Sequence, residues 1–272
     1  MNLKMKLITD IELIDKLIQI YFIKGTITNN YLLSGAYSQY ISESKLFYVA
    51  KNTNACFLLE KNGFYQVFYY INNQSDLMVF DFEKPLVMEV LYRGEANRPN
   101  EIISYWEKCG FKQHIIRDHM SAYYNQLVFF DENDSVKVRF VENENEIIFA
   151  QRTIEETFDK YTGDIFSINE ARILTKNQNL LCAYINEDLC GVIKFEIKQG
   201  IVMWGHFAIK EEFRGKGIAT KLMQTFFRLN SVSPSTRFQM WVVIDNLKAK
   251  NIYQRIGFTF DNKISQSMLK IS

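Results

Sequence analysis

Cysteine is scarce in this chain: four in 272 residues, Cys56, Cys109, Cys182 and Cys190, with no C-x-x-C pair among them. That excludes a disulfide framework and the usual zinc and redox spacings, and three of the four lie among apolar or aromatic neighbours where a reduced thiol packs. Histidine is scarcer still, and His114, His119 and His206 fall at no metal-ligand spacing from cysteines or carboxylates, so no metal site is expected. Three prolines and twelve glycines leave no room for long disordered linkers or collagen-like repeats. An excess of one charge is also missing: 32 Lys and Arg stand against 31 Asp and Glu, for a net charge of +1. The sequence-independent attraction that draws a basic face to a polyanion is therefore absent, and no nucleic-acid partner is expected. Splitting the chain after residue 135 gives −3 and +4, too little to decide anything. No apolar run approaches the ~18 to 20 residues of a membrane span, and Met1 to Asp10 lacks the apolar stretch of a signal peptide. The expectation is a cytoplasmic protein with no membrane partner.

What the chain does have is apolar material in quantity, 47% hydrophobic and 15% aromatic residues. At ~150 residues per domain the length suggests two modest domains, each able to bury a core. The polar stretch Asp131 to Ser135 marks the expected boundary, giving domains 1–134 and 135–272.

From Lys137 onward period-two segments alternate with helical ones. A strand at Lys137 to Val141 precedes an amphipathic helix at Asn145 to Phe158 and a shorter one around Ile168 to Lys176. Leu180 to Ile185, Cys190 to Ile197 and Ile201 to Ile209 then read as an antiparallel meander, separated by the turn signals Asn186-Glu187-Asp188 and Gln199-Gly200. A helix opens near Gly217 and buries Leu222, Met223, Phe226 and Phe227 on one face. Phe238 to Ile244 is a strand, Asp245 and Asn246 suit the cap of a helix through Ala249, Ile252 and Tyr253, and Gly257 suits its left-handed end. Two closing strands are expected near Phe258 to Phe260 and Ser267 to Ile271.

The first half is also mixed α and β, with a helix near Asp10 to Phe22 and strands near Leu46 to Ala50, Ala55 to Glu60, Tyr65 to Ile71, Leu77 to Phe82 and Leu86 to Tyr92. Its end, Tyr105-Trp106-Glu107-Lys108-Cys109-Gly110-Phe111, echoes Ile252-Tyr253-Gln254-Arg255-Ile256-Gly257-Phe258, 147 positions on. Two readings account for the echo: an internal duplication, or the ordinary way a helix ends in glycine before a strand.

Arg214-Gly215-Lys216-Gly217-Ile218-Ala219 lies directly between a strand and a helix. Its glycines let the backbone aim several N–H groups at one point, the following helix adds the positive end of its dipole, and Arg214 and Lys216 supply charge. Such a turn is an anion cradle suited to a pyrophosphate. No Gly-Lys-Ser or Gly-Lys-Thr closes it, which excludes a Walker loop, and a dinucleotide fingerprint would need a third glycine and a parallel βαβ unit.

This loop, followed by Asn246-Leu247-Lys248-Ala249, Tyr253 and Gly257-Phe258, resembles the GCN5-related N-acetyltransferase (GNAT) family. That family's R/Q-x-x-G-x-G/A loop matches Arg214, Gly217 and Ala219. Its N-x-x-A-x-x-x-Y-x-x-x-G-F segment matches Asn246, Ala249, Tyr253, Gly257 and Phe258 without a gap. The resemblance runs from about Lys137 to the end and implies an α+β fold: a central, mostly antiparallel sheet flanked by helices, preceded by a mixed α/β domain that reads as a degenerate copy. It implies acyl transfer from acetyl-CoA to an amine, with no metal. The loop Arg214, Gly215, Lys216, Gly217, Ile218 and Ala219 would hold the pyrophosphate, and Asn246 would contact the CoA arm. Phe207, Ala208 and Ile209 end a strand that in the family splays from its neighbour, so that free backbone groups pair with the pantetheine. One such N–H would polarise the thioester carbonyl, an effect worth about 3 to 4 kcal/mol in other acyl-transfer enzymes.

Tyr253 is the candidate acid that protonates the departing thiolate, with a core tyrosine as the plainer reading. His206 is the candidate base, expected on the same sheet face as Trp204, and Glu196 is a second option. In the loop Phe158 to Asp164, Tyr161 and Asp164 are the candidates for binding a cationic amine. The first half has no paired-glycine loop before Tyr105, has Trp106 in the place of Tyr253 and proline at position 99 in the place of Asn246, so no cofactor is expected there. A non-catalytic CoA-binding or protein-interaction module is the alternative to an active enzyme, and the oligomeric state stays open.

Overall fold

Three apolar runs, two of them ended by residues that tolerate positive φ, form the expected meander in a computed structural model that describes residues 3–271. They are β9 (Leu180–Ile185), β10 (Asp188–Lys198) and β11 (Ile201–Ile209). Ahead of them come β8 (Val136–Phe140), α4 (Glu144–Thr157) and α5 (Ile168–Lys176), and after them α6 (Ile218–Asn230), β12 (Arg237–Val243), α7 (Leu247–Arg255) and β13 (Thr259–Lys270). The first half supplies β1 (Lys6–Leu7), α1 (Ile11–Tyr21), β2 (Ile27–Thr28), α2 (Ser38–Ser42), β3 (Leu46–Lys51), β4 (Asn54–Lys61), β5 (Phe64–Ile71), β6 (Leu86–Arg93), α3 (Asn100–Lys108) and β7 (Lys112–Tyr123).

The chain divides into two units at other places than the expected boundary near residue 134. Unit 1 comprises Met1–Ile116 and Lys263–Ser272, and unit 2 comprises Arg117–Asn262. The cause is that β7 and β13 are long strands that run on past the division. The polar run Asp131 to Ser135 is instead a connection inside unit 2, clasped by Glu132 to Lys221 (2.6 Å), Gln224 (2.7 Å) and Arg228 (2.5 Å) of α6. The closing segment is one strand rather than the two expected near Phe258 to Phe260 and Ser267 to Ile271: β13 runs unbroken from Thr259 to Lys270 through Asn262, whose φ is 55. Leu77 to Phe82 is not a strand. Its alternating burial mimics one, yet side chains satisfy its backbone, Tyr105 Oη accepting from Met78 N and Lys51 and Lys270 donating to Leu77 O and Phe80 O.

In unit 2 the sheet order is β7-β12-β11-β10-β9-β8, antiparallel except for the β11–β12 pair. One face packs against α6 and α7 through Phe195, Trp204, Phe226, Phe227, Phe238 and Phe258. The other packs against α4 and α5 through Ile154, Phe166, Ala171, Cys182 and Val192. In unit 1, β1-β3-β4-β5-β6 are joined by residues 263–270 of β13, paired with β6 from Lys263↔Arg93 to Lys270↔Leu86.

Unit 1 repeats the element order of unit 2, with the short β2 added between α1 and α2 and one helix omitted. Residues 72–85, between β5 and β6, contain no helix where α6 stands between β11 and β12. The bounds of α3 and β7 recur 147 positions on in α7 and β13, and the glycines that end the two helices, Gly110 and Gly257, have φ 92 and 105. Both units also contain one parallel strand pair at the same place in the order, β5–β6 and β11–β12. This concordance supports the duplication reading of the echo.

Candidate functional site

The site begins where β11 leaves β12. The two pair from Ile201↔Arg237 to Trp204↔Met240 and no further, although both strands continue. Against β10, the register of β11 shifts between Lys194 and Phe195, so that Gly205 is an extra residue, a bulge. Beyond it, Lys210 N donates to Cys190 O at 2.9 Å, which fixes the alternation: Ala208 turns its backbone to β10, while Phe207 and Ile209 turn theirs to the open side. Of the three residues expected to present free backbone groups, Ala208 is therefore engaged within the sheet. Ile209 O accepts from Arg214 Nε at 3.3 Å.

The edge leads into the glycine loop. A 3-10 turn at Glu211–Phe213 is followed by Gly215 at φ 79 and Gly217 at φ 77, both left-handed conformations that side chains resist. Gly217 is the cap of α6 and has no side chain with which to cap it. The N–H groups of Ile218, Ala219 and Thr220 consequently begin the helix without the capping that Asn143 gives α4 and Ser167 gives α5. The first turn of α6 is also without an acidic residue, so its dipole is not compensated from within. Buried Ile218 anchors the turn, Asn133 Nδ2 donates to Lys216 O at 2.9 Å, and the Lys216 ammonium lies 5.0 Å from the Phe213 ring. Arg214 stays exposed, 3.8 Å from Glu211.

On the α6 and α7 face, the Tyr253 ring packs edge-on to Trp204 at 5.3 Å, and Phe207 meets the same indole at 5.3 Å. The Tyr253 hydroxyl has no hydrogen-bond partner among the described residues, and burial pushes its pKa up to about 12, which keeps the phenol protonated. Lys250 holds α7 to β7 through Asp118 at 2.5 Å. Asn246 is the cap of α7, its Oδ1 accepting from Ala249 N at 3.1 Å, so the plainer role is filled, and Nδ2 is the donor it can offer a ligand.

His206 is on the other face. The bulge at Gly205 breaks the alternation, so Trp204 and His206 point to opposite sides of the sheet rather than sharing one as expected. His206 is buried against Phe158 at 4.7 Å and Phe166 at 6.3 Å, and its Nε2 donates to Gly163 O. That bond makes Nδ1 the unprotonated nitrogen, and Nδ1 is buried with no partner. Burial outweighs the bond to Gly163 and holds the imidazole pKa below its ordinary value.

Around His206 the loop expected to bind the acceptor is tightly tied. The Asp159 carboxylate accepts from Tyr161 N, Thr162 N and Thr162 Oγ1, and Arg117 donates to Thr162 Oγ1 at 2.6 Å. Tyr161 is half-buried with Lys160 over its ring. Asp164 is exposed at φ 47 and faces Lys194 at 3.6 Å. Lys194 is buried on β10 and also donates to Glu196 at 2.7 Å. Burial raises the Glu196 pKa, but hydrogen bonds from Lys194 and Lys198 outweigh it and bring it down to about 2, which makes Glu196 a poor base. Arg117 and Lys194 were not among the residues expected here. A lone lysine inside the apolar run Val192-Ile193-Lys194-Phe195 was the available signal for one; Arg117 carried none.

Among the described residues no helix is long and apolar enough to cross a membrane, and no group of three or more His, Cys, Asp or Glu could hold a metal ion.

Residues 176–260 match the acetyltransferase (GNAT) domain family. The chain is similar to a solved GCN5-related N-acetyltransferase from Sphaerobacter thermophilus, 12% identical over 98% of this chain and 95% of that one, with a TM-score of 0.60. It is also similar to a tandem GNAT protein from the clavulanic acid biosynthesis pathway, 10% identical over 98% of both chains, with a TM-score of 0.59. A glucosamine N-acetyltransferase region of a fungal multi-domain β-N-acetylglucosaminidase aligns at 9% identity and a TM-score of 0.65, over 98% of this chain and 38% of that one. No curated protein sequence matches the chain. The fold is that of the GNAT acetyltransferases.

Proposed function

We propose, from the premise that residues 176–260 belong to a GNAT acetyltransferase domain, that unit 2 transfers an acetyl group from acetyl-CoA to a primary amine of a small molecule or protein. The observation that carries this reading is the open edge of β11 running straight into an uncapped helix N-terminus through two left-handed glycines. An extended amide chain pairs with such an edge as a strand does, and a pyrophosphate suits N–H groups backed by Arg214 and Lys216. Both halves of acetyl-CoA thus find their chemistry along one path.

The amine attacks the thioester carbonyl, the carbon–sulfur bond breaks, and a proton must reach the sulfur while another leaves the nitrogen. The protonated Tyr253 hydroxyl is the donor for the first. His206 Nδ1 is the acceptor for the second, reached through water because the ring is covered. Tyr161 and Asp164 border the acceptor, with Lys194 already neutralising part of the Asp164 charge. In this reading the protein works in the cytoplasm.

The test is calorimetric titration with acetyl-CoA beside Gly217→Glu, then thiol release across a panel of amines. Micromolar binding lost in the variant, with release driven by one amine class, is the expected result; a wild type that binds no acetyl-CoA rejects the reading. A non-catalytic CoA-binding or interaction module is kept in view by one feature, the engagement of His206 Nε2 and Asp164 within the fold. Binding without turnover on any amine would favour it.

A further inference from the structure

Unit 1 contains its own parting strand pair, and something lies in the gap. β5 and β6 pair only at Tyr65↔Leu86 and Gln66↔Val87, in the same place in the element order as β11 and β12. Beyond that point the Asn29 carboxamide bridges them: Nδ2 donates to Val67 O at 3.0 Å and to Glu89 O at 3.1 Å, and Oδ1 accepts from Tyr69 N at 2.7 Å. One side chain makes the bonds that a peptide group of an added strand would make. β2 then continues along the β5 edge, antiparallel, with Thr28↔Tyr70 and Ile27↔Ile71 in register and Thr28 Oγ1 donating to Tyr69 O at 2.6 Å. The segment is braced behind by the buried Asn30, which bonds the hydroxyls of Tyr70 at 2.6 Å and Tyr37 at 2.8 Å.

The source of this segment matters. It is the connection between α1 and α2, the counterpart in unit 1 of the α4–α5 loop that lies over His206 in unit 2. The other parts of such a cleft are also absent from unit 1 among the described residues: residues 72–85 hold neither a glycine nor a helix, and Trp106, in the place of Tyr253, is fully buried.

We propose that Thr26–Asn30 is a built-in occupant of the unit 1 cleft, a strand added from the same chain that closes this copy of the fold to acyl-CoA. The occupant is tethered, so its effective concentration is of roughly millimolar order, and it covers the parting edge that an extended amide chain would pair with there. The inference rests on unit 2 being the cofactor-binding copy.

The test combines CoA titration of the wild type, Gly217→Glu and Asn29→Ala with amide exchange at Tyr69 and Ile71 in the absence of ligand. One CoA per chain is expected, absent in Gly217→Glu and retained in Asn29→Ala. Both amides should be protected in the wild type, indifferent to CoA, and about tenfold or more faster to exchange in Asn29→Ala. If Asn29→Ala does not fold, Thr28→Val removes the bond to Tyr69 O and carries the same exchange test. A second equivalent of CoA, a binding event that survives Gly217→Glu, or fast exchange of Tyr69 in the wild type overturns the proposal. Should CoA bind to neither unit, the cofactor reading of unit 2 falls, while Tyr69 exchange still decides whether the occupant is in place.

Discussion

Tyr253 and His206 show how burial, as the largest influence on each, biases the protonation of a side chain. Desolvation penalises the charged form of each, extending to higher pH the range in which the phenol is protonated and to lower pH the range in which the imidazole is neutral, the states an acid and a base need. Tyr253→Phe should lower kcat by about 10²- to 10⁴-fold and leave CoA affinity unchanged, because only the proton donor is removed. Unchanged turnover would leave Tyr253 a core residue packed on Trp204. With its pKa pushed up to about 12, Tyr253 should impose no alkaline fall on kcat between pH 6 and roughly pH 10. His206 acts on stability with the opposite sign. Its folded pKa is depressed below 6.5, so its contribution is whole above that value and is lost as pH falls through the folded pKa. Denaturant melts at falling pH should show this loss, reduced in His206→Gln; an identical pH dependence in the variant would count against it.

At the scale of elements, the glycine loop is held in shape by backbone conformation more than by contacts. Gly217 has φ 77 and its missing Cβ would lie 3.3 Å from Asn133 Cβ. Gly217→Ala should therefore cost about 1 to 2 kcal/mol of stability and weaken CoA binding together, a pairing that calorimetry and thermal melts on the same sample can check. The α5 helix shows the contrary design, a reciprocal capping box in which Ser167 Oγ accepts from Glu170 N and the Glu170 carboxylate accepts from Ser167 N. Ser167→Ala is expected to cost about 1 kcal/mol without touching CoA affinity. Elements with strong local signals, such as α6 and the β9 to β11 meander, form where periodicity places them. Leu77 to Phe82 fails because side chains of Tyr105, Lys51 and Lys270, all remote in sequence, satisfy a backbone that alternation alone assigns to a sheet.

For the whole molecule, the assignment of the last residues matters most. Residues 263–270 complete the sheet of unit 1, where Met268 is fully buried, although they follow unit 2 in the chain. Deleting residues 263–272 should therefore destabilise unit 1 first. Proteolysis followed by mass spectrometry is expected to cut within residues 1–116 before it cuts within 117–262. Cleavage confined to 117–262 would show that the strand supports the unit it follows instead. The recurring element order matches the arrangement: a helix, a glycine and a long strand occur in α3, Gly110 and β7 and again in α7, Gly257 and β13, and the residues of each long strand are divided between the units.

Local chemistry was enough to make the GNAT-like half legible: the glycine loop between strand and helix, the buried stripe of α6, the cap at Asn246 and the α7-to-glycine ending all follow from backbone sterics and periodicity acting within a few residues. The same forces give Gly110 and Gly257 the same left-handed conformation, and the two helix ends are legible in the sequence as an echo 147 positions apart. Only the tertiary structure decided the rest, because each remaining fact depends on residues distant in sequence. A one-residue bulge at Gly205 reverses the side of the sheet that His206 faces, and no alternation pattern reveals a bulge before the partner strand is known. Asn29 reads in sequence as an ordinary loop asparagine; its role appears only when Val67, Tyr69 and Glu89 are brought around it. The unit boundaries likewise rest on which edges the strands find, a matter of hydrogen bonds across the sheet rather than of composition along the chain.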